Sequence, residues 1–241
     1  MGAVIAVPDI TYRDPTDGDV PGYLAVPEGA GAWPAVVVVQ DVIGMTTDLR
    51  RITDRFAACG YLALAPSLYG RGPKIRCMIS TIRAAIIGRG SAHGSLVAAR
   101  DHLAADERCT GKVGLVGFCM GASFCLQLAP GGLFDVSAPN YGVLPRDLEA
   151  LSQSCPVVAS FGAKDHIVAR GSAAKLETAL ARGAVPRDIK EYPNVGHSFM
   201  NDWRFPGPIR IIERAIGVSY SAPEAEDAWQ RMMSFFEKYL A

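Results

Sequence analysis

The 241-residue chain has no charge excess, with 24 Lys and Arg against 24 Asp and Glu. That balance argues against partners selected by charge, such as nucleic acid or an anionic membrane surface. No run of 18 apolar residues is present, and no basic stretch followed by an apolar one opens the chain, so neither a membrane span nor a secretory signal is expected. The expectation is therefore a cytoplasmic protein. Histidine is scarce, at four residues, and the six cysteines (Cys59, Cys77, Cys109, Cys119, Cys125 and Cys155) form no C-x-x-C pair and no zinc-type spacing with histidine. Their scatter, with no secretory signal expected, argues against a disulfide framework. Repeats, low-complexity tracts and interdomain linkers are all missing, which predicts one domain over residues 1–241.

What the chain does contain is an ordinary globular composition, 49% hydrophobic and 20% charged, enough for a core buried on both faces of a sheet. Its most informative stretch runs from Gly114 to Ala122. Lys112 to Val116 reads as a short buried strand, and Phe124, Cys125 and Leu128 recur at helical spacing after it. Between them lies Gly117-Phe118-Cys119-Met120-Gly121, the nucleophile-elbow pattern with sulfur in place of the usual oxygen. Such a turn holds its central residue at positive φ, and the flanking glycines remove side chains that would collide with the neighbouring strand and helix. The thiol is then presented at the positive end of a helix, where a thiolate is favoured. A buried core cysteine behind a Gly-rich turn is the alternative reading. Cys59, Cys125 and Cys155 lie in apolar surroundings and are expected in the core.

The rest alternates strands and helices. Val4 to Val7 and Gly22 to Val26 read as an antiparallel pair around the turn-rich Asp14 to Gly18, and Ala35 to Gln40 as a strand buried on both faces. Asp48 is expected to cap a helix with Leu49, Ile52, Phe56 and Cys59 facing inward, ended by Gly60. Strands are expected at Tyr61 to Ala65, Pro156 to Phe161 and Ile189 to Tyr192, and helices at Ser95 to Ala105 and Ser172 to Arg182. Ser221-x-x-Glu224 predicts a capping box for a last helix with Trp229, Met232, Met233, Phe236 and Leu240 on one face. Residues 71–94 interleave Arg71, Lys74, Arg76 and Arg83 with isoleucines. They read as a helix partly covering the site or as a surface helix with a solvated basic face. The pattern as a whole is α/β, with a mostly parallel sheet and helices on both faces.

A thiol at an elbow needs a base, and the base needs an orienting group. Asp165 follows one predicted strand and His197 the next, so the order nucleophile, acid, histidine places each at a strand's carboxyl end. His197 would deprotonate Cys119 while Asp165 holds the imidazole tautomer. Asp165 read alone could be a turn or cap residue, and His197 a hydrogen-bonded loop histidine. An oxyanion would be met by the backbone N–H of Met120 and that of Val42. Asp41 sits in the same loop.

These residues resemble the dienelactone hydrolases (carboxymethylenebutenolidases), cysteine members of the α/β-hydrolase fold. The resemblance rests on Gln40 to Gly44, Gly60-Tyr61, Pro66-x-Leu68-Tyr69, Gly111 to Gly121, Tyr141-Gly142, Asp165 and Gly196-His197-Ser198-Phe199. It implies a Cys119–His197–Asp165 triad that opens an enol-lactone through a thioester, without metal or cofactor. Asp41 takes the place of the family's usual Glu, which accepts the thiol proton, so Asp41 is the proton-acceptor candidate. Asn201 stands where the family's lactone hydrolases carry a substrate-gripping Arg, four residues after the histidine. Tyr141 and Arg204 are the remaining substrate-binding candidates, with Arg76 and Arg83 as further cations that could reach a carboxylate. The expected partner is a small ester or lactone, with no nucleic acid and no membrane, and a monomer is favoured. Two alternatives stay open: a carboxylesterase or thioesterase acting on a neutral substrate, and a hydrolase-fold protein that binds without turnover.

Overall fold

The structure, a computed structural model, describes residues 4–204 and 217–241. Its strands are β1 (Val4–Asp14), β2 (Gly18–Pro27), β3 (Trp33–Val39), β4 (Leu62–Pro66), β5 (Cys109–Phe118), β6 (Val136–Asn140), β7 (Val157–Gly162) and β8 (Arg187–Tyr192). They form one sheet in the order β1-β2-β4-β3-β5-β6-β7-β8. The β1–β2 and β2–β4 pairs are antiparallel, and every pair from β4 to β8 is parallel. The helices are α1 (Thr47–Ala58), α2 (Lys74–Ile87), α3 (Ser91–Ala104), α4 (Met120–Leu128), α5 (Ser172–Arg182) and α6 (Ala222–Leu240).

The four valines of β3 explain why the sheet must be covered twice. Val36 and Val38 pack with Phe56 of α1 and Trp229, Met232 and Phe236 of α6. Val37 and Val39 pack on the opposite face with Leu96 of α3 and Phe124 of α4. All four are fully buried. A strand apolar on both faces is stable only between two helical layers, and parallel connections supply them. Strand direction then brings the turns after β3, β5, β6, β7 and β8 to one edge of the sheet, where open α/β sheets form their sites.

Three local expectations are corrected. Thr46, not Asp48, caps α1: its hydroxyl accepts the Leu49 N–H at 3.1 Å. The helix begins at Thr47, which puts Asp48 inside the first turn, where its buried carboxylate faces Asn201. Cys59 is exposed. The helix ends at Ala58, which leaves Cys59 as the C-cap at the rim of the core. At α6 the Ser221 hydroxyl bonds the Glu224 carboxylate instead of forming the reciprocal backbone box. The Ser221 N–H that Glu224 would need is already donated to the Phe199 carbonyl at 3.0 Å.

Candidate active site

The elbow is as tight as its glycines require. Cys119 sits at φ 53°, and its N–H donates to the Asn140 carbonyl at 3.1 Å, tying the turn to the end of β6. A Cβ on Gly117 would lie 2.3 Å from the Gly121 carbonyl carbon, and one on Gly121 would lie 2.5 Å from the Val39 carbonyl oxygen. No side chain fits at either position, so strand, turn and helix can close only with glycine there. Cys119 is half-buried and lines a cavity of about 570 Å³ together with His197, Met120 and Val42.

His197 Nδ1 and Asp165 Oδ2 are 2.7 Å apart, both side chains almost fully buried. Asp165 Oδ1 meanwhile accepts the N–H groups of Ile167 and Val168 at 2.7 and 3.0 Å, so the carboxylate also shapes its own turn. Burial works against its charge, but the His197 bond and these two N–H groups prevail and hold the carboxyl below its usual range. Burial likewise opposes charge on His197. The bond to Asp165 and the nearby Cys119 thiol outweigh it, and the imidazole is pushed up to about 9. Its Nε2 is buried with no hydrogen bond of normal geometry among the described residues. An imidazole this basic, anchored at one nitrogen and interacting with the thiol, is equipped to hold the proton that the thiol gives up.

The loop after β3 is held from several sides. The peptide joining Val42 and Ile43 is fixed at both ends: Tyr69 donates its hydroxyl to the Val42 carbonyl at 3.0 Å, and the Ile43 N–H reaches Asp41 Oδ1 at 2.7 Å. Asp41 Oδ1 also accepts the Gly44 N–H at 3.3 Å, and Oδ2 accepts the Trp203 indole N–H at 3.0 Å. Burial pushes the Asp41 carboxyl up against the opposing effect of these three bonds. Among the described residues its hydrogen bonds go to these groups and none to the thiol. Neither the Val42 N–H nor the Met120 N–H makes a backbone bond among the described residues, and both residues line the cavity with Cys119.

The remaining candidates are distributed differently. Tyr141 borders the cavity but is fully buried, and its hydroxyl donates to Asn201 Oδ1 at 2.6 Å. Asn201 Nδ2 in turn donates to Asp48 Oδ2 at 3.0 Å, which makes Asn201 part of a buried chain behind the site. The Tyr141 ring stands edge-on to the imidazole of His197, 5.2 Å between centroids. Arg204 is exposed and paired with Asp202 at 3.2 Å, outside the cavity lining. Arg76 and Arg83 are also outside it, whereas Arg146, in the loop after β6, lies on it. The sequence marks Arg146 only by a Pro-Arg-Asp stretch following a strand. Helix α2 covers one side of the cavity with Ile82, Ala85, Ile86 and Ile87.

The sequence model of the dienelactone hydrolase family matches residues 20–240. The chain belongs to the dienelactone hydrolase family. A candidate carboxymethylenebutenolidase of Escherichia coli strain K12 is 30% identical, covering 93% of this chain and 85% of its own. Among solved structures, a candidate dienelactone hydrolase from Klebsiella pneumoniae superposes with TM-score 0.77 at 26% identity, over 98% of this chain and all of its own. A dienelactone hydrolase-like promiscuous phosphotriesterase from metagenomic libraries gives TM-score 0.84 at 25% identity over 100% of both chains. The Pyrococcus horikoshii acylaminoacyl peptidase shares the fold at 12% identity, TM-score 0.73, over 42% of its length. This dienelactone hydrolase family member is a carboxylic ester hydrolase of the α/β-hydrolase fold. No helix among the described residues is long and apolar enough to cross a membrane.

Proposed function

We propose that this hydrolase cleaves a small ester or lactone through a Cys119–His197–Asp165 triad and a thioester intermediate. The observation that carries the reading is a basic, Asp165-anchored His197 that interacts with the Cys119 thiol in the cavity both residues line. The thiol proton passes to His197 Nε2, whose raised pKa keeps it there, and the sulfur attacks the carbonyl carbon. The carbonyl electrons move onto oxygen, which the N–H groups of Met120 and Val42 receive. Collapse of this adduct breaks the bond to the leaving oxygen, which takes the proton from His197 and leaves the acyl group on sulfur. With a lactone, that leaving oxygen stays tethered to the acyl group and the ring opens. Water then attacks the thioester with His197 as base, releasing the carboxylic acid and restoring the thiol.

Asp165 keeps the imidazole oriented and stabilises its cationic form. We read Asp41 as the brace of the Val42 loop, because its three hydrogen bonds all serve that loop. Tyr141 supports the His197 ring from behind. Arg204, the other substrate-binding candidate, would reach an acidic substrate only by leaving Asp202.

The test is turnover of dienelactone and of short p-nitrophenyl esters by the wild type and by Cys119→Ala. Loss of at least a thousandfold in kcat supports the reading, and equal rates end it. A second reading, a carboxylesterase for neutral substrates, is favoured by the inward turn of Asn201, which leaves no cation at the position where the family's lactone hydrolases carry an arginine.

A further inference from the structure

We propose that the catalytic cavity selects a neutral ester bearing an apolar chain of roughly six to ten carbons, a size its volume accommodates. This rests on the function proposed above and names the substrate class for the same site. Large apolar side chains are left facing solvent around the nucleophile: Ile86 is 63% exposed, Ile87 44%, Val143 54% and Ile167 56%, and all four line the cavity. They come from α2, the loop after β6 and the turn after β7, three separate segments converging on Cys119. Exposed apolar surface gathered at a concave site is the mark of an apolar ligand.

The polar groups of the wall point the same way, because the protein already occupies them. Gln127 donates to the Ala85 carbonyl at 2.6 Å and pairs through Oε1 with His93 at 2.8 Å. The Ser123 hydroxyl accepts the Val143 N–H at 3.1 Å, and the Tyr141 hydroxyl is engaged by Asn201. The charges on the wall, Arg146 and Asp147, are adjacent and opposite in sign. Asp147 is held in place by the N–H groups of Glu149 and Ala150 at 3.0 and 3.2 Å. Apart from the catalytic groups, the Ser123 O–H and the charges of Arg146 and Asp147, little is left to reward a polar substrate, while each buried methylene is worth a factor of about four.

The experiment measures kcat/KM for two series, p-nitrophenyl alkanoates from acetate to decanoate and alkyl acetates from ethyl to decyl, all below micelle-forming concentrations. The expected result is a rise of about two- to fourfold per methylene across the middle of at least one series. An ω-carboxylate on the same chain should lower kcat/KM by about tenfold or more. Ile86→Asn and Val143→Asn, at positions exposed enough for the fold to tolerate them, should flatten the rise. Ile75→Asn, on the same helix but off the cavity, should leave the profile as in the wild type. Flat or falling profiles in both series, or a gain from the ω-carboxylate, with Cys119-dependent turnover intact, would overturn this inference and leave the proposed function standing. Absence of Cys119-dependent turnover on every ester would remove both.

Discussion

Trp203 donates its indole N–H to the buried carboxylate of Asp41 at 3.0 Å, and the other oxygen of that carboxylate holds the Ile43 N–H at 2.7 Å. One residue thus links the turn after β3 to the segment following His197. Asp41→Asn keeps the oxygen that receives the Ile43 N–H but cannot accept from the indole, and Trp203→Phe removes the same bond from the other side. If Asp41 braces the oxyanion loop, the two variants should lose similar activity, a few-fold to tenfold in kcat, in line with one buried hydrogen bond of about 1 kcal/mol. Steady-state kinetics with a p-nitrophenyl ester checks this. A far larger loss in Asp41→Asn than in Trp203→Phe would instead indicate a carboxylate that exchanges a proton with the thiol.

The Asp165–His197 pair carries a pH signature. With His197 raised to about 9, above its ordinary value of 6.5, its contribution to stability is fully present below pH 6.5 and is lost as pH climbs through 9. Asp165 is shifted down, so its contribution is present above its unfolded value and is lost only as pH falls through its lower folded value. The stability difference between wild type and Asp165→Ala, from urea denaturation, should therefore be largest near pH 5–6 and shrink between pH 7 and 10. A difference that grows over that interval would contradict the pairing.

Asn201 offers a test of stability as opposed to substrate grip. Asn201→Ala leaves both the Tyr141 hydroxyl and Asp48 Oδ2 without their partner in a buried setting. The expected cost is about 1–3 kcal/mol in denaturant unfolding. KM for neutral and acidic esters should change by a common factor, because the side chain does not line the cavity. A selective rise in KM for acidic esters would show that Asn201 reaches the substrate.

Much of this architecture is legible in the chain because local and global demands coincide there. The four valines of β3 call for a strand covered on both faces, and the elbow glycines call for a turn that only glycine can close. The Asp165 and His197 positions follow from strand ends, and α5 spans Ser172–Arg182 as its pattern predicts. What stayed hidden depends on distance in sequence. The direction of Asn201 is decided by a hydroxyl 60 residues earlier and a carboxylate 153 residues earlier, and the place of Asp41 by an indole 162 residues later. The cap of α1 is ambiguous for a smaller reason: Thr46 and Asp48 are both good caps, and a shift of two residues decides between them. Nor can sequence spacing say which arginine faces the cavity; the loop that carries Arg146 is aimed by the turn after β6.

The most direct measurement is intact-mass and peptide-level mass spectrometry of the protein quenched in acid within milliseconds of mixing with a p-nitrophenyl ester. The thioester account predicts a transient gain of one acyl mass, located on the peptide containing Cys119 and missing in Cys119→Ala. An acyl group found on any other residue, or turnover that persists in Cys119→Ala, would contradict it.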